Sequence, residues 1–266
     1  MDTSTQNYEE DVQLTGFQAA PIKGEGAGVA YDSETQGFVT RYKHVVYGLG
    51  YIVTREEMED GLYEKVSKGR VTALAAAMRN TKETVGANIY NRAFNTSYTF
   101  GDGKRMISND HPNAIGGTFS NVADTASDLS EASIEDLNIQ IMGAKGPKDL
   151  QINLMPRCLI VPRQEFYNAN RILKSVLQND TGNNAINVLK STNALPDGIK
   201  VNHYLTDSDA FFIRTSVKNG LKCYQRRAIE FTKDNDFSTE NALAKATERY
   251  SFGVTDVRAV YGNPGV

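Results

Sequence analysis

Apolar positions in the second half of the chain fall into short, clearly phased segments. "SEASIEDLNIQIMG" (130–143) places Ile134, Leu137 and Ile141 on one helical face and ends on Gly143, so a helix is predicted. "RCLIVP" (157–162) is a short all-apolar strand. Pro162 can begin the helix "RQEFYNANRILKSVL", whose Phe166, Ala169, Leu173 and Val176 share one face. "GIKVNHYL" (198–205) and "DAFFIRTS" (209–216) read as strands, and "RAIEFTK" alternates Ile229 and Phe231 with Glu230 and Thr232. In the closing "ERYSFGVTDVRAVYGNPGV" (248–266), Tyr250, Phe252 and Val254 alternate with Ser251, Gly253 and Thr255. The apolar phase then slips by one residue to Val257, Ala259 and Tyr261. Such a slip swaps sheet faces, so a bulge or sharp turn is expected near Asp256.

The first half is patterned differently. Residues 1–37 carry no helical or strand period, and "KGEGAGVAYDSETQG" is turn-rich. The strand-like "FVTRYKHVVY" (38–47) follows, which suggests a long hairpin over 28–47 turning near Asp32 to Gly37. Thr54 and Glu57 match the T-x-x-E capping box. Met58, Leu62 and Val66, then Leu74, Met78, Val85 and Ile89, continue a helical face, with Glu64–Lys68 and Arg79–Glu83 as ion pairs on the outer side. If unbroken to about Phe94, this helix would be ~60 Å long at 1.5 Å per residue. Gly61, Gly69 and Gly86 are the points at which it could kink or divide. Residues 101–128 again lack an apolar pattern, and loops that long are uncommon in compact domains unless they have a function. About a quarter of the chain therefore has no evident core of its own. Contacts with neighbouring copies would supply what these segments lack.

Composition narrows the function. At 266 residues the chain can bury a sizeable core, and 40% hydrophobic with 23% charged residues is globular. A net charge of −3 disfavours a protein whose main task is gripping nucleic-acid phosphates. The start of the chain lacks a basic-then-apolar leader pattern, and no stretch reaches the ~20 apolar residues of a membrane span. Cys158 and Cys223 are too few for a disulfide framework or a zinc site, as expected of a chain made in a reducing cytosol.

Candidate chemistry is sparse. "GEGAG" (24–28) and "GDGK" (101–104) lack the flanking strand and helix of a phosphate loop and read as turns. Asp207 and Asp209 could hold a divalent ion or serve a hydrolase, but no third carboxylate has calcium-loop spacing, so a turn is the better reading. His44, His111 and His203 form no metal-binding pattern, and Cys158 sits in an apolar strand as core filler. "KGR" and "QRR" are isolated solvated charges. Asp256 and Arg258 have no partner constellation for chemistry. No catalytic residue, cofactor site or metal site is assigned, and the chain is not read as an enzyme.

Five collinear motifs carry a resemblance: "HVVYGLGYIVTREEMEDGLYEK", "AFN" followed by "GDGK", "SNDHP" with "GGTFSN", "VNHYLTDSDAFFI" and "ERYSFGVTDVRAVYG". Together they resemble the major capsid proteins of tailed bacteriophages, nearest to the Mu-like major head subunits, over about Tyr31 to Gly262. The resemblance implies an α+β chain with the Hong Kong 97-like capsid fold. It implies an N-terminal arm at 1–27, an extended E-loop at 28–52, a peripheral domain with a long spine helix at 53–128 and 226–254, and an axial domain at 129–225 and 255–266. The implied function is self-assembly into the icosahedral shell around a double-stranded DNA genome. The partners would be copies of the chain in hexamers and pentamers, with scaffolding, portal and decoration proteins. The packaged DNA would be touched weakly on the inner face, and no membrane is involved. The location is the virion, after synthesis in the host cytoplasm. An encapsulin-type compartment shell is the alternative within the fold. Lys43 lies where some members form a covalent crosslink, but no asparagine here can be matched to it. No charged helical scaffolding segment precedes the arm, so scaffolding is separate, already removed or unnecessary; an initiator Met1 would exclude removal.

Overall fold

The computed structural model describes residues 2–60, 63–114, 116–178 and 185–266, and side chains of 63–68 are outside that description. In chain order the first elements are strands β1 (Asp2–Thr3), β2 (Tyr8–Leu14), β3 (Gln36–Lys43) and β4 (Val45–Val53), then helices α1 (Arg55–Glu59) and α2 (Tyr63–Asn91). After them come short strands β5 (His111–Pro112) and β6 (Thr118–Phe119), helix α3 (Glu131–Met142), strand β7 (Pro156–Val161), and helices α4 (Phe166–Lys174) and α5 (Val188–Ser191). Strands β8 (Ile199–Val201), β9 (Phe211–Thr215), β10 (Leu221–Asn235), β11 (Ala242–Val254) and β12 (Val260–Asn263) complete it, with a 3-10 turn at Val257–Ala259. This is the expected α+β content.

The chain divides into two units. The first comprises residues 1–9, 41–88 and 222–253, and the second residues 10–40, 89–221 and 254–266. Residues 89–128 thus group with the second unit, whereas the sequence reading joined them to 53–88.

In the first unit the sheet order is β1-β10-β11-β4. β4 runs antiparallel to β11 from Ala242↔Val53 to Tyr250↔Val45. Residues opposite each other share a face, and the face with Tyr250, Glu248 and Ala246 packs on α2. There Leu74, Met78 and Ala246 form a small core flanked by Tyr47 and Tyr51, and the Tyr47 and Tyr250 rings stack 4.7 Å apart. Burial raises the Tyr250 phenol well above the ordinary tyrosine range. Lys82 of α2 pairs with the nearly buried Glu248 carboxylate on this face.

The single ~60 Å helix is not formed. Thr54 caps α1 by accepting the Glu57 N–H at 3.3 Å, but α1 ends at Asp60, whose N–H bonds the Glu56 carbonyl at 3.0 Å. Only half of the capping box exists, because the Glu57 carboxylate turns to Arg70 instead (2.9 Å to Nη1). α2 then runs 29 residues, ~44 Å at 1.5 Å per residue. Gly69 and Gly86 lie inside α2 without breaking it. Gly61 and Leu62, and the side chains of Glu64, Val66 and Lys68, lie outside what the structure describes.

The second unit is built on the sheet β12-β9-β7-β8, with β7 antiparallel to β9 and parallel to β8. Burial is near complete along β7 and β9, as continuous apolar runs require. One side of the core joins Leu159, Val161, Phe211, Ile213 and Tyr261 to α3 and α4 through Ile134, Leu137, Ile141 and Ala169. The Tyr261 phenol is pushed up to about 12 by this burial. α3 is capped by Ser130 and Ser133, each side chain bonding the other's backbone N–H, and Gly143 stops it. The other core cluster takes Cys158, Ile160 and Phe212 together with Ala93, Met106, Ile107, Val257 and Val260.

Three local expectations are corrected. The hairpin is not within 28–47: β3 pairs with β2 instead, and the two are closed by Thr15 N–H to the Thr35 carbonyl at 3.3 Å and Thr15 Oγ1 to the same carbonyl at 2.8 Å. Residues 15–35 form its loop. "GIKVNHYL" yields only the three-residue β8, because Asn202 Oδ1 captures the Tyr204 N–H at 3.0 Å and turns the chain. α4 starts at Phe166, since the Glu165 N–H bonds the Pro162 carbonyl in a turn first. The phase slip is present as expected: Asp256 Oδ1 accepts the Arg258 N–H at 3.0 Å and opens the 3-10 turn between β11 and β12.

Candidate functional site

Several residues singled out for chemistry hold local structure instead. Asp207 Oδ1 accepts the N–H groups of Asp209 and Ala210 at 3.0 and 3.2 Å, which makes a turn between strands. No group of three His, Cys, Asp or Glu that could hold a metal occurs among the described residues. "GEGAG" is a turn closed by Ala27 N–H to the Gly24 carbonyl at 3.1 Å. His203 and Lys43 are exposed. Burial raises the thiols of Cys158 and Cys223, the opposite of nucleophile activation. No helix is long and apolar enough to cross a membrane among the described residues.

Polar residues of the patternless 101–128 stretch instead converge on one buried knot in the second unit. Asn121, fully buried, turns Nδ2 to the carbonyls of Met106, Val257 and Val260 at 2.8, 3.1 and 3.0 Å, one of its two hydrogens being shared between two of them. Those three bonds fix the amide so that Oδ1 accepts the Ser108 N–H at 2.8 Å and faces His111 Nε2 at 3.1 Å. The other ring nitrogen of His111 lies 2.6 Å from Asp102 Oδ2. Both ring nitrogens therefore face oxygen acceptors. Asp102 Oδ1 also accepts the Lys104 N–H at 3.0 Å, tightening the GDGK turn around Gly103 at φ 76°. Lys104 and Ser108 both bond Asp110, and the lysine chiefly holds that carboxyl below its ordinary range.

Arg258 completes the knot, and the sequence reading gave it no partners. It is buried, donating through Nε to the Lys145 carbonyl and through Nη2 to Asn113 Oδ1, both at 2.8 Å. Its guanidinium lies 3.9 Å from the Phe119 ring centre, and Phe119 stacks in turn on His111. An Asp–His pair could suggest general-base chemistry, but both nitrogens are committed and the ring is wholly buried. The knot can fasten; it cannot reach a substrate. Motifs "GDGK", "SNDHP", "GGTFSN" and "TDVRAVYG" are thus parts of one structure, which no hydrophobic period could reveal.

The second feature is exposed apolar surface on the β2–β3 hairpin. Leu14, Phe17, Ile22, Val29 and Tyr31 all lie open, with Ile22 and Tyr31 essentially fully exposed. Their loop is fastened in its own unit by Asp32, which accepts the Gln18 N–H at 2.8 Å and the buried Lys148 ammonium at 3.0 Å. That backbone bond and the lysine hold the Asp32 carboxyl below the usual range.

The family model for phage capsid protein matches residues 37–263. The chain belongs to the phage capsid protein family. No curated protein matches this capsid protein in sequence. Its fold recurs in solved structures of low identity. The virus-like particle from Pyrococcus furiosus is 12% identical, with a TM-score of 0.56 over 98% of this chain and 88% of that one. The capsid of Myoviridae phage XM1 is 10% identical, at 0.57 over 100% and 90%. Mycobacterium phage Patience is 13% identical, at 0.57 over 98% and 81%. The fold of this capsid protein is therefore the Hong Kong 97-like one expected from the motifs. A virus-like particle stands among these likenesses, so the fold alone does not single out phage heads; the sequence family does.

Proposed function

We propose that this capsid protein is the major head subunit of a tailed phage and that copies of it assemble, as hexamers and pentamers, into a closed icosahedral shell around double-stranded DNA. The observation that carries the reading is the family match, joined to a hairpin loop whose apolar side chains have nothing of their own unit to cover them. The sheet β1-β10-β11-β4 with α2 serves as the peripheral domain, and the sheet β12-β9-β7-β8 with α3 and α4 as the axial domain. The residues read separately as an arm (1–27) and an E-loop (28–52) act chiefly as one reaching element, the β2–β3 hairpin. The subunit is made in the host cytoplasm and ends in the virion. Its role is structural and needs no catalysis. A mild negative charge suits a wall that encloses a polyanion without adhering to it.

Electron microscopy of the purified chain, alone and with any scaffold, tests the reading. Closed shells or capsomers are expected, and a strictly monomeric species under all conditions would overturn it. The contents of the particles separate the two kinds of shell. Nuclease-protected DNA is expected of a phage head, whereas a co-purifying cargo enzyme would mark a compartment.

A further inference from the structure

A second buried polar chain lies in the first unit, centred on His44. Its Nε2 is 3.0 Å from Ser4 Oγ and its Nδ1 is 2.9 Å from Ser251 Oγ. Ser4 Oγ donates to Glu9 Oε1 at 2.6 Å and accepts the Gln6 N–H at 3.2 Å. A hydroxyl owns one proton, and Ser4 has given its proton to the carboxylate. His44 Nε2 must therefore carry a hydrogen and donate it to Ser4. Nδ1 is then free to accept the Ser251 hydroxyl, and a neutral ring in one tautomer satisfies every contact. His44, Ser4 and Ser251 are all buried.

What this chain fastens is the segment Asp2–Glu9. Ser4 is the one buried residue in it, so no apolar core holds it down. β1 lies parallel to β10 through only Asp2↔Tyr224 and Thr3↔Gln225, extended by Ser4 N–H to the Gln225 carbonyl at 3.0 Å. Arg226 reaches the Ser4 carbonyl at 3.3 Å, Arg249 bonds Asn7, and Arg41 lies over the Tyr8 ring.

We infer that His44 is a proton-operated latch: the neutral ring fastens Asp2–Glu9 to the sheet, and a second proton on the ring releases it. Added at Nδ1, that proton meets Ser251 Oγ, whose own hydrogen must swing away from its acceptor. The new charge would be desolvated. It would face Arg226 of β10, Arg249 of β11 and the Tyr224 ring of β10, against the single Glu9 carboxylate. Burial first, then Arg249, hold His44 below its ordinary 6.5, with Glu9 acting in the opposite sense. His44 binds the proton more readily once the segment is released. The latch is thus fully present above about 6.5 and is lost as pH falls through the folded value. Release uncovers the β10 edge that β1 occupies. This goes beyond the capsid reading and holds whether or not the chain builds a shell.

Hydrogen exchange of the full chain tests the latch, with protection factors corrected for the intrinsic effect of pH. Between about pH 7.5 and about pH 4.5, protection over residues 2–9 should fall roughly tenfold or more, while that of β11 holds. In His44→Gln the pH step should vanish, which separates His44 from Glu9. A flat wild-type profile, or the same step in His44→Gln, overturns the proposal. Ring nitrogen NMR of the wild type needs no variant. It should show the neutral Nε2–H tautomer at about pH 7.5, and ring protonation should share its midpoint with release; midpoints about a pH unit or more apart overturn it.

Discussion

Asn121 Nδ2 donates to the Val260 carbonyl at 3.0 Å, tying the loop before α3 to the first residue of the C-terminal strand. The same amide also serves Met106 and Val257. Asn121→Ala would leave the Met106 and Val260 carbonyls, the Ser108 N–H and His111 Nε2 without this partner, whereas the Val257 carbonyl keeps the Val260 N–H. At ~1 kcal/mol for each of these four buried groups, the loss should be on the order of 3–4 kcal/mol. Chemical denaturation of the purified subunit measures it, and a change under about 1 kcal/mol would show that the knot carries little stability.

The other half of the knot should be as costly to break. Asp102→Asn keeps the shape but removes the charge facing His111 Nδ1. Weakening a buried hydrogen bond to a carboxylate typically costs up to ~3 kcal/mol. Asp102→Asn is therefore expected to lower the unfolding midpoint nearly as far as Asn121→Ala, and the double variant should be much less than additive because both act on one network. Full additivity would mean that the two contacts are independent.

Much of the second unit was legible because its elements bury one face each. The triplet Ile134, Leu137, Ile141 and the apolar run of β7 announce themselves by period alone. The phase slip at Asp256 was legible for the same reason, since each face of a strand has its own partners. The knot was not, because Asp102, His111, Asn121 and Arg258 are held by hydrogen bonds whose partners lie up to 145 residues away. β2 was missed because "YEEDVQL" has no alternation: its strand state is imposed by β3 across a loop of some twenty residues. The division at Asp60 was half legible: the glycine at 61 marked a point at which the helix could kink or divide, but no local signal separates a helix end from a kink.

A glycine gives the next test. A side-chain carbon at Gly220 would lie 2.1 Å from Ala259 Cβ, beside the Thr255 N–H to Gly220 carbonyl bond of 2.8 Å. Neither neighbour is a flexible side chain that can swing aside. Gly220→Ala should destabilise by ~1–3 kcal/mol, as overpacking does. Ala259→Gly on the same background should recover part of the loss. No rescue in thermal or chemical unfolding would refute the contact.

The Glu57–Arg70 pair predicts a pH dependence. The arginine chiefly, with help from its charge and the Thr54 backbone, holds the Glu57 carboxyl below its ordinary 4.5. A depressed carboxyl stabilises the fold above about 4.5, and that contribution fades as pH falls through the folded value. Glu57→Gln should therefore lower the melting temperature at neutral pH and lose its effect at acid pH, where the wild-type carboxyl is also protonated. Exchange protection of α1 should follow the same course. An effect that persists unchanged in acid would mean that the pair is not its cause.

The hairpin loop separates folding from assembly. Ile22 and Tyr31 are essentially fully exposed and belong to no core cluster, so their replacement removes nothing the isolated subunit buries. Surface changes of this kind normally shift stability by no more than ~0.5 kcal/mol. If the loop is covered by a neighbouring subunit, however, each aspartate in Ile22→Asp with Tyr31→Asp would be buried without a partner at every copy of the contact. The cost is repeated around the shell, so assembly should fail altogether while the melting temperature stays near wild type. Sedimentation and electron microscopy read the first outcome, and calorimetry the second. Shells of normal yield from the double variant would show that the loop is not an assembly contact. A large drop in melting temperature would show that it packs on its own unit after all, and would shift the search for the assembly contact to the exposed apolar strand β4 and the outer half of β10.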